Sequence, residues 1–201
     1  ESCVDGWQWS PGDAANFSIG QGDVSTTPLQ MAVVYAAIAN GGNVIEPRVA
    51  NEALDVSGEV QKKFSTTVRQ RVGFDEESLR ILREGLEGVV TRGTASWAFE
   101  DWDHERYPLA GKTGTADGSD ETWYSGYTPQ LAASVWVGTP DSLGNLRDIQ
   151  LGDRTYPGWL YGSTLAAPTF RKIMDFAHRD LPNESFPTPP EGLRAELDAM
   201  F

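Results

Sequence analysis

The sequence has 201 residues, of which 39% are hydrophobic, and this combination predicts one well-buried core rather than two ordinary domains or a disordered chain. Its formal net charge of −13 argues against a nucleic-acid partner, because a phosphate backbone is bound by a basic surface. The longest apolar run, Met31 to Ala39, is far shorter than the roughly 20 residues that span a bilayer, so no membrane segment is predicted.

The two ends of the sequence lead to further expectations. The chain begins at Glu1 without a methionine and a basic segment, so we expect it to be a piece of a longer protein. The single cysteine, Cys3, cannot form an internal disulfide, and we expect no reactive role for it. We divide the chain into a folded part, residues 1–180, and a proline-rich tail, residues 181–201, that extends over the surface.

Taken in order, the chain shows no periodicity over residues 1–24, and the segment from Trp7 to Gly12 is typical of a loop. The first predicted helix runs from Pro28 to about Asn40, because Thr27 can cap its start and Gln30 completes a capping box. The pair Gly41-Gly42 ends this helix. We interpret it as a buried structural helix, and its predicted apolar face consists of Leu29, Val33, Ala36 and Ala37.

Residues 43–73 predict short strands and turns, and a second helix follows them. Asp75 can cap the start of this helix, and Phe74 can pack on Leu79 as a hydrophobic staple. The helix is expected to end near Gly93. Its predicted apolar face consists of Leu79, Leu82, Leu86 and Val89 or Val90.

Residues 96–107 predict a loop that is rich in aromatic and acidic residues. Such a close cluster is more typical of a solvated loop than of a metal site, so we expect no metal and no cofactor. The cluster consists of Asp101, Asp103, His104 and Glu105. Residues 141–158 predict a long, turn-rich connection. A last helix is predicted over residues 163–178, with an apolar face made of Phe170, Ile173, Met174 and Ala177.

Residues 108–138 predict three adjacent antiparallel strands separated by polar turns. The first strand, Leu109 to Ala116, has polar residues and a glycine where a core strand would carry valine or isoleucine. These residues are Lys112, Thr113, Gly114 and Thr115. We therefore predict an α+β fold, with helices packed on an antiparallel sheet, in which this strand lies at an edge and presents that edge to a ligand.

The four residues suit the binding of an extended peptide. Lys112 is a point charge that can hold a carboxylate or assist a proton transfer. The hydroxyls of Thr113 and Thr115 can donate hydrogen bonds to a carboxylate. Gly114 has no Cβ, so a peptide can lie close to the backbone and pair with it as an added strand.

Two common catalytic arrangements are disfavoured. Neither histidine, His104 or His178, lies beside a Gly-x-Ser-x-Gly nucleophile sequence. Gly111-Lys112-Thr113 matches the end of a phosphate-binding loop, but the glycine that should precede it by five positions is absent. The peptide-binding edge is therefore the remaining interpretation.

The sequence resembles the transpeptidase domain of penicillin-binding proteins, which are relatives of the serine β-lactamases. Lys112-Thr113-Gly114 is similar to the Lys-Thr-Gly motif of that family. Five further segments are similar to family segments in the same order: residues 24–42, 89–95, 121–129, 133–138 and 161–174. The last of them resembles the final helix of the class A, bifunctional members. The resemblance implies a β-lactamase-like α+β fold.

The other two family motifs do not occur in this sequence. They are Ser-x-x-Lys, which supplies the acylated serine, and Ser-x-Asn, and in the family both precede the segment similar to residues 24–42. We therefore expect residues 1–180 to be the C-terminal part of a transpeptidase domain, incomplete and inactive without its N-terminal half. A class A parent would also carry a glycosyltransferase domain and a membrane anchor, and would act at the cell surface or in the periplasm.

The resemblance implies roles at the matching positions. Lys112 would assist proton transfer, and the hydroxyls of Thr113 and Thr115 would bind the carboxylate of a D-Ala-D-Ala stem peptide or of a β-lactam. The N–H of Thr115 would be one donor of the oxyanion hole. Trp123 and Tyr124 are candidates to line the cleft, although we expect at least one of them in the core.

The implied activity is D,D-transpeptidation, which cross-links peptidoglycan through an acyl-serine intermediate. One alternative within the same fold is a D,D-carboxypeptidase or a β-lactamase. The alternative from another class is a non-catalytic module that binds peptidoglycan or β-lactams.

Overall fold

The structure, a computed structural model, describes residues 9–22, 24–116, 120–139 and 144–186. Within these ranges the chain has the predicted α+β arrangement, centred on a three-stranded antiparallel sheet. Its strands, in spatial order, are β5 (Ala110–Thr115), β6 (Glu121–Tyr127) and β7 (Ala132–Gly138). The three strands predicted over residues 108–138 are therefore confirmed. The expectations about Cys3 and about the tail after residue 186 lie outside the described residues.

A short helix, α1 (Pro11–Ser18), lies in the stretch without periodicity and begins inside the segment predicted to be a loop, so that prediction was wrong at Pro11 and Gly12. Its start is fixed locally. The Asp13 N–H donates to Ser10 Oγ at 3.2 Å, and the Ser10 N–H donates to the Asp13 carboxylate at 2.7 Å. No residue of α1 is buried, so its sequence lacks the apolar periodicity on which a prediction would depend.

The second helix, α2 (Pro28–Ala39), begins with the predicted capping box. The Gln30 N–H donates to Thr27 Oγ1 at 3.2 Å, and the Thr27 N–H donates to Gln30 Oε1 at 2.8 Å. Its buried residues are Tyr35, Ala37 and Ile38. The predicted apolar face was wrong at Leu29, which is 60% exposed. Because almost every position of α2 is apolar, its sequence does not select the side that packs on the sheet.

Four short strands follow in the region predicted as strands and turns. They form two separate antiparallel pairs, β1 (Asn43–Ile45) with β4 (Val68–Arg71) and β2 (Glu52–Leu54) with β3 (Val60–Lys63). All residues of β2, β3 and β4 are exposed.

The third helix, α3 (Glu76–Thr91), begins at the predicted cap, where the Ser78 N–H donates to Asp75 Oδ1 at 2.9 Å. Its buried apolar residues are Leu79, Leu86 and Val90, as predicted. Leu82 is 40% exposed, contrary to the prediction. At about 100° per residue around the helix axis, Leu82 lies about 60° from the centre of the stripe that Leu79, Leu86 and Val90 form.

The predicted loop after α3 is partly helical and contributes to the core. It contains a 3₁₀ helix, Ser96–Phe99, and the side chains of Phe99 and Trp102 are buried. The connection predicted over residues 141–158 was also wrong, because it contains an antiparallel hairpin of β8 (Arg147–Leu151) and β9 (Arg154–Trp159).

The last helical region begins with a π-helical turn, Gly162–Ala166, that continues directly into α4 (Ala167–Ala177). Phe170 and Met174 are buried in the core, as predicted. Ile173 is 46% exposed, contrary to the prediction, because it lies beside the stripe that those two residues form. No helix in the described part of the chain is long and apolar enough to cross a membrane.

The central sheet packs on both faces. Side chains alternate between the faces of a strand, so Tyr124 and Tyr127 of β6 point in opposite directions. Tyr124 lies against Phe170 of α4, with ring centroids 4.7 Å apart. Tyr127 lies against Tyr35 of α2, with ring centroids 6.3 Å apart. The sheet is therefore the middle layer between α2 and α4.

Candidate functional site

The strand β5 lies at the edge of the described sheet, with β6 on one side and no described strand on the other. The Ala116 N–H donates to the Glu121 carbonyl at 3.1 Å, so it points toward β6. Because these groups alternate along an antiparallel strand, the backbone N–H groups of Thr113 and Thr115 point to the open edge. The predicted edge strand is thus confirmed, and two of its amides point to the side on which no strand is described.

The ammonium group of Lys112 also lies at this edge. Its Nζ donates to the Thr113 carbonyl at 3.0 Å and to Thr113 Oγ1 at 3.3 Å. The side chain is largely exposed, but the surrounding protein desolvates the charge enough to lower the pKa of Lys112 below its usual value of 10.5. Among the described residues, no carboxylate lies within 4.0 Å of Nζ. The positive charge is therefore open to an anionic ligand.

The hydroxyl of Thr113 contacts a residue that the sequence did not mark as part of the site. Thr94 Oγ1 lies 3.0 Å from Thr113 Oγ1, and either atom can be the donor. Thr94 follows Gly93, where a Cβ would lie 2.8 Å from Val89 Cα. The glycine therefore allows the chain to fold back tightly at the end of α3, which brings Thr94 to β5. The sequence signal that could have identified Thr94 was the similarity of residues 89–95 to a segment of the transpeptidase family.

The hydroxyl of Thr115 is held by the π-helical turn. Thr115 Oγ1 accepts a hydrogen bond from the Gly162 N–H at 3.2 Å. A Cβ on Gly162 would lie 2.4 Å from the Trp123 carbonyl oxygen and 2.7 Å from the Gly114 carbonyl oxygen. Only glycine therefore fits at this point, and the turn lies directly on the backbone of β5 and β6.

The two residues proposed to line the cleft lie on opposite faces of β6. Tyr124 is fully buried in the core, as expected for at least one of them. Trp123 is half-buried and packs edge-on against Trp136, with ring centroids 6.5 Å apart. A Cβ on Gly114 would lie 3.1 Å from the Trp123 Cβ, so a larger residue would crowd this side of the strand.

Neither histidine is part of the site at β5. His178 is buried, with Nε2 lying 2.8 Å from Thr128 Oγ1 and Nδ1 lying 2.9 Å from the Met174 carbonyl oxygen. It joins the end of α4 to the end of β6. Burial lowers the pKa of His104, which lies beside the 3₁₀ helix. Within the described ranges, no group of three histidine, cysteine or acidic residues could hold a metal ion.

Comparison with known proteins identifies the class to which this fold and edge strand belong. The family model of the penicillin binding protein transpeptidase domain matches residues 3–175, so the chain belongs to that family. The resemblance stated from the sequence is confirmed.

Individual relatives are similar over most of this chain. Penicillin-binding protein 1A of Pseudomonas aeruginosa is 27% identical over 92% of this chain and 27% of its own length. The crystal structure of penicillin-binding protein 1A from Haemophilus influenzae has a TM-score of 0.63 at 23% identity, over 87% of this chain and 29% of the other. Penicillin-binding protein A of M. tuberculosis, solved as an imipenem acyl-enzyme complex, has a TM-score of 0.57 at 26% identity, over 84% of this chain and 36% of the other. This chain spans only about a quarter of the length of its curated relatives.

Proposed function

We propose that this chain is part of a serine-type D,D-transpeptidase that cross-links peptidoglycan stem peptides and binds β-lactams through an acyl-serine intermediate. Membership of the transpeptidase family supports this activity. The M. tuberculosis relative, which forms an acyl-enzyme with imipenem, supports the binding of β-lactams. The observation that carries the proposal is the open edge of β5, where two outward amides, two hydroxyls and an ammonium group converge.

The stem peptide binds along this edge as an added strand and pairs with the outward backbone groups of Thr113 and Thr115. The hydroxyls of these two residues hold the terminal carboxylate of D-Ala-D-Ala, and Lys112 attracts the same charge. The Thr115 N–H is one donor to the oxyanion that forms when the serine attacks the carbonyl carbon, and loss of such a donor costs about 3 kcal/mol. Gly114 leaves room for the peptide backbone.

The acylated serine is supplied from outside this sequence, since neither Ser-x-x-Lys nor Ser-x-Asn occurs in it. The serine oxygen forms an ester with the penultimate D-alanine, and the terminal D-alanine leaves with the proton. An amine of a second stem peptide then takes the acyl group and releases the serine. Residues 1–180 form the C-terminal part of the domain, in a protein that is anchored to the membrane and acts outside it.

The test is intact-protein mass spectrometry before and after incubation with a fluorescent penicillin. The isolated chain of 22.0 kDa is expected to gain no mass, and a longer protein that contains this chain and the serine-bearing segment is expected to gain one penicilloyl group. A labelled isolated chain would contradict the proposed source of the serine. A longer protein that stays unlabelled would favour a non-catalytic binding module.

Two further measurements sharpen this test. With a stem peptide and an amine acceptor, the longer protein should form the cross-linked product, whereas hydrolysis alone would indicate a D,D-carboxypeptidase. The Lys112→Ala variant should lose acylation by about a hundredfold or more, the range for a group that assists proton transfer. Lys172→Ala is the matched control, because Lys172 is exposed on α4.

A further inference from the structure

The hydroxyl of Thr113 has two neighbours, and their chemistry differs. A hydroxyl oxygen can accept two hydrogen bonds and donate one. The Lys112 ammonium, 3.3 Å from Thr113 Oγ1, can only donate and therefore takes one of the two accepting positions. The second neighbour, Thr94 Oγ1 at 3.0 Å, can either donate or accept. The direction of this second bond decides where the single hydrogen of Thr113 points.

Each direction has a different consequence for an anion at the open edge. If Thr94 donates, both accepting positions of Thr113 are filled, and its hydrogen is free to point at a ligand. If Thr113 donates to Thr94, Thr113 has no hydrogen left and presents only oxygen to a carboxylate, which is repulsive.

The hydroxyl of Thr115 provides an internal comparison. Its neighbour is the Gly162 backbone N–H, at 3.2 Å, which can only donate. The hydrogen of Thr115 is therefore never directed to Gly162 and stays available to a ligand. At Thr113 the same result requires the side chain of Thr94 to act as the donor.

We propose that Thr94 is a positioning residue, which donates to Thr113 Oγ1 when substrate is bound and so directs the Thr113 hydrogen to the substrate carboxylate. This inference rests on the proposed function, because it takes the carboxylate as the ligand of Thr113. Thr94 itself does not touch the substrate. Because the Thr94 side chain is exposed and water can partly replace it, the effect of its loss is moderate.

The test uses the longer, serine-bearing protein and measures the second-order rate of acylation by a penicillin and by its methyl ester. Thr94→Val keeps the shape and removes the hydroxyl, so it should slow the penicillin reaction about three- to tenfold and leave the ester reaction within about twofold. Thr94→Ser should restore the penicillin rate. Thr91→Val is the matched control, because the Thr91 hydroxyl donates to the Glu87 carbonyl and does not reach β5.

A purely structural role for Thr94 predicts that both reactions slow equally, and this outcome would overturn the proposal. An unchanged rate of acylation of Thr94→Val by the penicillin would also overturn it. A second arm does not need the ester: in a Thr113→Val background, Thr94→Val should have no further effect on the penicillin rate, because the two residues act as a unit.

The contact can also be judged without any acylation. In the 201-residue chain, three-bond NMR couplings to the Thr113 methyl carbon should report one side-chain rotamer, and Thr94→Val should make them average over several. If Thr113 keeps one fixed rotamer both in the unchanged chain and in the Thr94→Val variant, the positioning role is refuted. If the longer protein is not labelled by the penicillin but Thr94→Val still averages the Thr113 couplings, the proposed function is refuted and the contact between Thr94 and Thr113 remains supported.

Discussion

The two faces of the β5–β7 sheet are packed to different extents. On one face, Tyr124, Phe99 and Phe170 are all fully buried and form a continuous aromatic cluster. On the other face, Tyr127 is fully buried against α2, but Trp123 at the far end of the same strand is only half-buried. One face thus anchors the sheet along its length, and the other opens beside Trp123. Of the candidate site residues, Lys112 and Gly114 share the face of Trp123, whereas Thr113 and Thr115 share the face of Tyr124.

The largest expected effect is on the closed face. Phe170→Ala removes a fully buried ring from the aromatic cluster and should lower the free energy of unfolding by about 3–5 kcal/mol. Urea denaturation of the 201-residue chain measures this change. The control on the same helix is Phe176→Ala, whose ring is 67% exposed, and it should cost much less. Equal losses would mean that the aromatic cluster does not anchor the sheet.

The next effect concerns the turn that holds Thr115. Gly162→Ala places a methyl group 2.4 Å from the Trp123 carbonyl oxygen, and the displacement that follows should cost about 1–3 kcal/mol of unfolding free energy. Gly85→Ala is the control, because no atom lies within 4 Å of its added Cβ. In an exposed helical position this change should stabilise by about 0.5–1 kcal/mol. Two changes of the same sign would contradict the close packing of Gly162.

A pH effect tests the buried part of the opposite face. Burial raises the pKa of Tyr35 from 10.0 to about 12, and it also raises the pKa of Tyr127. The folded protein therefore keeps protons that the unfolded chain loses above pH 10. Stability should be complete below that pH and fall between about pH 10 and 12, by up to about 1.4 kcal/mol per pH unit for each tyrosine.

Tyr35→Phe should make this alkaline loss of stability shallower, as measured by urea denaturation at a series of pH values. Tyr161→Phe, on a ring that is 54% exposed, is the control and should leave the slope unchanged. A slope that does not respond to Tyr35→Phe would show that the ring is hydrated in solution.

The smallest expected effect concerns Lys112, on the face of the sheet that opens beside Trp123. Because desolvation lowers the pKa of Lys112, its reaction with acetic anhydride should have a midpoint below pH 10.5. Peptide mass spectrometry after labelling across a range of pH gives this midpoint, and the exposed Lys172 serves as the internal reference. A midpoint at or above 10.5 would mean that the ammonium group is fully hydrated.

Features that depend on close sequence neighbours were predictable. The caps at Thr27 and Asp75 were correct because each bonds to a residue three positions away. The hairpin after residue 146 also had a local signal that was missed, the two-residue turn Gly152-Asp153 between β-branched or polar runs, with φ of +59° at Gly152. Its many charged residues concealed it.

Features that depend on how helices and strands pack on one another were not predictable. Leu29, Leu82 and Ile173 were assigned to buried faces, but each is exposed because the position of a neighbouring element selects the buried stripe. The edge strand that carries the candidate site was predicted, and the residues that contact it from other elements were not. Thr94 lies 19 residues before Thr113, and Gly162 lies 47 residues after Thr115, so only the fold brings these partners together.

The alternation of backbone groups along β5 limits how the chain length can change. Ala116 and the residues two and four positions before it direct their amides to β6, and the residues between them direct theirs outward. If Ala110 and Gly111 keep their partners on β6, insertion of a single residue before Lys112 would exchange the two sets, so that the Thr115 amide would be consumed within the sheet. Insertion of two residues would keep the original assignment. The direction of the backbone amides along this strand therefore repeats every two residues. Insertions or deletions that preserve the candidate site should contain an even number of residues.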